Sequence, residues 1–194
     1  MSERLRVFYA LELLADVRER VAQHIARLRV DAPHIKANWE RAEKLHVTLK
    51  FFGEIKTECI EALQNAAERA VIGVAPFELT LKEAGVFPPR RAPRVFWLGI
   101  TDNSDRLAQL QRRLEDEAER EKFPREQRPF HPHITIARLH TPDARGRDLA
   151  QLHIDLGFEP ITFPVREIVI MRSELSPQGS RYITLSRHRL RIEV

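Results

Sequence analysis

Two short stretches carry the side chains best suited to moving protons, His46-Val47-Thr48-Leu49 and His133-Ile134-Thr135-Ile136. In an extended strand, alternate residues share a face, so His and Thr at i and i+2 project together while the aliphatic residues between them turn the other way. One face carries chemistry and the other packs. With eight His and eight Thr in 194 residues, chance places a Thr two after a His about a third of a time, yet the spacing occurs twice. An imidazole titrates near pH 6.5, so around neutrality one copy can be protonated and the other neutral. Set on either side of a phosphorus atom, the neutral ring can deprotonate an attacking water while the imidazolium protonates the departing oxygen. The two Thr hydroxyls can donate to the non-bridging oxygens, where negative charge must be held. This chemistry needs no metal or cofactor. It suits a substrate activated by ring strain, such as a 2′,3′-cyclic phosphate, better than an unactivated phosphomonoester.

Other chemistries have weaker support. His131, His133 and His140 could converge on zinc, but the first stretch has no equivalent of His131 and no Cys cluster accompanies them. Cys59 is the single cysteine, lies in a helical pattern and has no neighbouring His, so neither a nucleophile nor an internal disulfide is expected. The glycines form neither a dinucleotide fingerprint nor a P-loop, and no Ser sits in a nucleophile elbow.

The elements that must position the two pairs come in a repeated order. Leu5, Val7, Tyr9 and Leu11 alternate as a buried strand, and a helix from an Asp16 cap through about Arg29 follows. A connection containing Trp39 leads to the first His-Thr strand, about residues 45–52, closed by Gly53. Strict alternation puts His46, Thr48, Lys50 and Phe52 on one face and Val47, Leu49 and Phe51 on the face against helices. A second helix from Thr57 to about Gly73 and a strand from Phe77 to Val86 complete the set. The chain then begins again. Arg94-Val95-Phe96-Trp97 echoes Arg6-Val7-Phe8-Tyr9 at an offset of 88, and His133 follows His46 at 87. A helix capped by Ser104, the second His-Thr strand, a helix from about Asp143 to His153 and a strand over 163–172 keep step, and a final strand over about 181–190 has no counterpart. Two repeats, about 4–87 and 92–172, are expected to pack about a pseudo-twofold axis as one domain spanning 1–194, with equivalent residues facing a shared cleft.

Composition agrees with this plan. Hydrophobic residues make up 43% and charged residues 31%, which is globular, and no apolar run is long enough to cross a bilayer. The lone cysteine and the absence of a signal-like start point to the cytoplasm. The net charge is +4 and Arg outnumbers Lys, which suits an anionic ligand without demanding one. No obligate protein partner is evident, and a monomer is expected.

The surroundings of the motifs carry a resemblance. Leu45-His46-Val47-Thr48-Leu49-Lys50-Phe51-Phe52-Gly53, Arg128-Pro129-Phe130-His131-Pro132-His133-Ile134-Thr135-Ile136-Ala137-Arg138 and Arg6-Val7-Phe8-Tyr9-Ala10 resemble the 2H phosphoesterase superfamily. Within it they are similar to the RNA 2′,3′-cyclic phosphodiesterase branch, also called the 2′-5′ RNA ligase or LigT-like family. The resemblance covers nearly the whole chain, with Glu40 more acidic than the pattern. It implies an α+β bilobal fold of two pseudo-symmetric lobes, each a largely antiparallel sheet backed by helices, with the active-site cleft between them. It also implies hydrolysis of RNA 2′,3′-cyclic phosphate ends or nucleoside 2′,3′-cyclic phosphates to 2′-phosphates, with His46 as the acid, His133 as the base, and Thr48 and Thr135 holding the phosphoryl oxygens. Arg138 resembles a substrate-binding Arg, although strict alternation puts it opposite His133 unless the strand ends or bulges first. Phe8, Tyr182 and, with less support, Phe96 are expected to reach the cleft and stack on a base, or else to pack in the core. Two alternatives stand beside this: ATP-independent 2′-5′ ligation as the main activity, and an RNA-binding module without turnover.

Overall fold

Alternating apolar residues and helical stripes give the elements, and their pairing gives the site. The computed structural model describes residues 3–89, 92–141, 143–176 and 179–192. In chain order these form β1 (Arg4–Glu12), α1 (Ala15–Asp31), β2 (Asn38–Trp39), β3 (His46–Lys56), α2 (Ile60–Val71), β4 (Phe77–Phe87) and β5 (Val95–Thr101). Then follow α3 (Arg106–Arg120), β6 (His133–Arg138), α4 (Ala144–Leu156), β7 (Ile161–Val165), β8 (Glu167–Ser176) and β9 (Gly179–Arg189).

Two sheets result, in the orders β3-β1-β8-β9 and β2-β6-β5-β4-β7, and neighbouring strands within each are antiparallel. Apart from β2, the two orders correspond strand for strand. β3 matches β6, β1 matches β5, β8 matches β4 and β9 matches β7. The last strand of each half is therefore exchanged: β4, from the first half, lies beside β5, and β8 lies beside β1. Helices cross over as well. Tyr9 of β1 donates its hydroxyl to the Leu63 carbonyl of α2 at 2.7 Å, and Lys50 of β3 pairs with Glu115 of α3, so α2 and α3 back the first sheet. His24 of α1 bonds His153 of α4, which bonds the Trp97 carbonyl of β5, so α1 and α4 back the second. One continuous apolar cluster fills the space between helices and sheets.

Several local expectations change. The stretch expected as one strand over 163–172 is two strands, β7 in the second sheet and β8 in the first, with the chain crossing between sheets at Arg166. The final strand, expected to lack a counterpart, occupies in its sheet the place that β7 occupies in the other. The first helix begins at Ala15, so Asp16 lies inside its first turn, where its carboxylate accepts from the Val17 amide. Asp102 rather than Ser104 caps α3, accepting from the Leu107 amide at 2.6 Å and from the Ser104 amide and hydroxyl. Asp143 caps α4 as its position suggested, accepting from the Gly146 amide at 2.8 Å.

Candidate active site

His46 and His133 open β3 and β6, the matching strands of the two sheets, and these two strands approach each other within 8 Å between Cα atoms. Each ring is held the same way. His46 Nδ1 lies 2.7 Å from the Lys44 carbonyl, and His133 Nδ1 lies 2.6 Å from the His131 carbonyl. A carbonyl only accepts, so both Nδ1 atoms carry hydrogen and Nε2 is the atom free to gain or lose a proton in each ring. The Nε2 atom of His46 lies 3.1 Å from the Thr48 hydroxyl. Burial holds both imidazoles below their ordinary pKa, partly offset by the carbonyl each faces. The charges of His133 and Arg138 push His46 down further, and those of His131 and Arg138 do the same to His133. In the free protein near neutrality both rings are therefore weighted toward the neutral form, which differs from the mixed pair expected from unperturbed values.

Bulges decide which neighbours join them. In β6, Trp97 opposes Thr135 while Phe96 opposes Ala137, so Ile136 is an extra residue. Residues directly opposite in a ladder share a face, and the extra residue therefore returns Arg138 to the face of His133 and Thr135. Its charge bears on His46, His133, Glu40 and Tyr182, which puts all of them around one cleft. β3 carries the same irregularity: Ala10 opposes Thr48 and Tyr9 opposes Lys50, leaving Leu49 extra. Lys50 is thereby turned to the helix face, 4% exposed, with its ammonium 2.6 Å from Glu115 and 2.9 Å from the Pro124 carbonyl. Phe52 follows it and packs edge-on against Tyr9 at 4.8 Å. Phe51 turns the other way, opposite Phe8, and is 44% exposed beneath the Arg6 guanidinium, 4.7 Å from the ring centre. A second bulge at Phe52, with Gly53 at φ 72, carries the strand on to Lys56 instead of ending it. The face assignments expected for Lys50, Phe51 and Phe52 are thus all reversed.

Phe8 does face the cleft side of its sheet, but at 3% exposure it cannot offer a free stacking surface. It lies 4.9 Å from the His46 ring and 5.3 Å from Tyr182, in a small cluster with Ala10, Val169 and Met171. Half-buried Tyr182 stands edge-on to His46 at 5.0 Å, and burial raises its pKa. Phe96 is fully buried on the opposite face, against the His153 ring. The register explains the miss: Trp97 takes the place of Ala10, an offset of 87 like that of the histidines, and the offset of 88 suggested by Arg-Val-Phe shifts every side chain to the wrong side.

The second sheet builds the facing wall from Trp97, Phe87 and His131. Trp97 lies 5.0 Å from Phe87 and 4.9 Å from His131, and Phe87 stands edge-on to His133 at 5.4 Å. Gly85 makes room for the indole, since a Cβ there would overlap the Trp97 ring. Sequence reasoning missed Phe51, Trp97 and Phe87, and only pairing register points to them. Glu40, flagged by its departure from the motif, has its carboxyl raised by burial and lowered by Arg138. His131, His133 and His140 do not come together, because His140 bonds the Asn38 amide at 2.9 Å; among the described residues no group of three His, Cys, Asp or Glu converges. Cys59 is half-buried ahead of α2.

Comparison with known proteins gives the family. The chain is 35% identical over 191 residues to an RNA 2′,3′-cyclic phosphodiesterase of Methanothermobacter thermautotrophicus, covering 96% of this chain and all of that one. Its structure is similar to that of TT0787 of Thermus thermophilus, with a TM-score of 0.80 at 28% identity, covering 98% of this chain and 100% of the other. Escherichia coli LigT complexed with 3′-AMP aligns with a TM-score of 0.72 at 31% identity, over 97% and 99% of the two chains. A family model described as the 2′-5′ RNA ligase superfamily matches residues 17–177. By that match over most of its length, the chain belongs to the 2′-5′ RNA ligase superfamily.

Proposed function

We propose that this protein is an RNA 2′,3′-cyclic phosphodiesterase that opens terminal cyclic phosphates to 2′-phosphates. The observation that carries the reading is the matched pair of imidazoles, each with Nδ1 tied to a carbonyl and Nε2 left to exchange a proton, on strands that meet across one cleft. The relatives that bear this activity in their names support it. Neutral His133 takes a proton from water as its oxygen attacks phosphorus. The P–O3′ bond breaks, and protonated His46 delivers its Nε2 proton to O3′, leaving a 2′-phosphate and a 3′-hydroxyl. Because burial favours the neutral rings, the charge on His46 is supplied by pairing with the phosphate anion on binding. Thr48 and Thr135 donate to the non-bridging oxygens, and Arg138 holds the phosphate charge. Exposed Phe51 under Arg6 is the base-stacking surface, while Phe8 and Tyr182 support the His46 ring. The protein acts as a monomer in a reducing compartment.

The test uses purified protein in EDTA with a nucleoside 2′,3′-cyclic phosphate. A 2′-phosphate product is expected, and His46→Ala or His133→Ala should lower kcat/KM by about 100-fold to 10,000-fold each, less than additively together. Full activity in the double variant would end the proposal, and a 3′-phosphate product would reverse the substrate orientation. Binding without turnover would leave an RNA-binding module instead. The family description favours 2′-5′ ligation as a second reading, in which a 5′-hydroxyl in place of water attacks the cyclic phosphate, and the equilibrium reached from excess joined or excess cleaved oligomers measures how far the same site runs that reaction.

A further inference from the structure

The cleft carries an acid to which the reaction as described gives no task. Glu40 follows β2, and its amide donates at 2.9 Å to the carbonyl of Ile136, the extra residue of β6. Asn38 stands opposite Arg138 on the cleft face, Trp39 stands opposite buried Ala137 on the helix face, and alternation returns half-buried Glu40 to the cleft. Its surroundings come from both sheets. Burial raises the Glu40 carboxyl, and the charges of Arg138 on β6 and Lys44 ahead of β3 lower it. Burial raises Tyr182 of β9 and the Glu40 charge adds to that, while Tyr182 stands edge-on to His46. Arg138 bears on His46 and His133 as well, so the carboxylate and the two imidazoles share one cation. Glu12, directly opposite His46 in the β1–β3 ladder, is matched by Arg187 at 2.6 Å. Among the described residues the Glu40 carboxylate has no such partner.

Hydrolysis changes the charge of what the cleft holds. The cyclic diester carries one negative charge. As water adds across the P–O3′ bond, its oxygen goes to phosphorus, His133 takes one of its protons and His46 supplies one to O3′. The new P–OH, with a pKa of about 6, then loses its proton to solvent near neutrality, and the product carries close to two charges. Coulomb energy scales with the product of the charges, so a carboxylate beside the phosphate disfavours the product twice as strongly as the substrate. Arg138 alone would do the reverse and hold the dianion the more tightly. Resting on the proposed reaction, we infer that Glu40 makes the cleft discriminate by charge, admitting the monoanionic cyclic phosphate and expelling the dianionic monoester that hydrolysis leaves.

Isothermal titration calorimetry at about pH 8 compares the wild type, Glu40→Gln and Glu40→Asp with two ligands, a 3′-deoxynucleoside 2′-phosphate and its methyl diester. Neither can react for want of O3′, and the diester keeps the single charge of the substrate. Both variants retain the Glu40 amide and its bond to β6. Glu40→Gln should tighten the methyl diester about threefold and the 2′-phosphate about tenfold, the square of the first factor. Glu40→Asp keeps the charge and should hold the wild-type ratio of the two Kd values within about twofold. A purely structural role, or a hydrogen bond to the sugar or base, would move both affinities by the same factor. Equal factors, unchanged affinities, weaker binding of both ligands, or no binding by any of the three proteins overturns the inference. Failure of the wild type to hydrolyse a nucleoside 2′,3′-cyclic phosphate strikes the proposed reaction instead, and the calorimetry, which needs no turnover, still decides the role of Glu40.

Discussion

At the scale of single residues, the two histidines are set up alike and made unequal only by what they face. Burial dominates both, so the sign of the pH dependence follows directly. The base must be neutral and its pKa lies below the ordinary value, so the acidic limb of kcat/KM falls below pH 6.5. The acid must be protonated and its pKa is also lowered, so the alkaline limb moves below 6.5 too. We expect a bell for kcat/KM displaced to the acid side of 6.5, with the kcat bell at higher pH because the bound phosphate anion favours imidazolium. Arg138→Gln removes a cation that depresses both rings and should move both limbs of kcat/KM upward while raising KM. A profile centred well above 6.5 in the wild type, or one that Arg138→Gln leaves in place, would contradict this assignment.

At the scale of elements, the bulge at Leu49 is held by what it does to Lys50. The ammonium is buried between Glu115 and the Pro124 carbonyl, and Glu115 also accepts from the Gln111 side chain and the Glu126 amide. Lys50→Ala would leave that carboxylate buried without its counter-charge, at a cost of about 3 to 5 kcal/mol. Lys50→Met with Glu115→Leu should regain most of the loss, short of the hydrogen bonds made by Gln111 and Glu126. Urea midpoints of the three proteins test this, and a single variant as stable as the wild type would show that the pair does not hold the strand. Because Thr48 and Phe51 flank this turn of the backbone, the ion pair also fixes which side chains β3 presents to substrate.

At the scale of the whole molecule, exchange of β4 and β8 means that neither half completes a sheet alone. Fragments 1–89 and 92–194 should each be unfolded by circular dichroism and should regain the native spectrum when mixed. A folded isolated fragment would count against the exchange as the source of stability. The helices over the second sheet are joined by a histidine relay: His24 donates through Nε2 to His153 Nδ1, and His153 donates to the Trp97 carbonyl at 3.0 Å. Burial and the neighbouring His153 lower the His24 pKa to about 4, against 6.5 in the unfolded chain. Between those values the unfolded chain binds more protons. Stability from this pair is therefore complete above about pH 6.5 and is lost as the pH falls toward 4, at up to about 1.4 kcal/mol per pH unit. His24→Gln should flatten the urea stability profile over that window, and an unchanged slope would remove His24 from the account.

The local pattern alone specified the His-Thr pairs, the core residues between them, the helices that follow and the repetition that brings two imidazoles to one cleft. Alternation with a period of two is a property of a single strand, and it holds from His46 to Thr48 and from His133 to Thr135. A bulge is a property of two strands, appearing only where one partner supplies an extra residue, so Lys50, Phe51 and Arg138 found their true faces only in the folded sheet. The same holds for Phe96, whose short sequence echo of Phe8 was one residue out of register. The exchange of strands between sheets, the place of Glu40 beside Arg138 and the lowered histidine pKa values all depend on which distant segments pack together. Side-chain type and spacing carry chemistry; packing decides which atoms face the substrate and how readily they hold a proton.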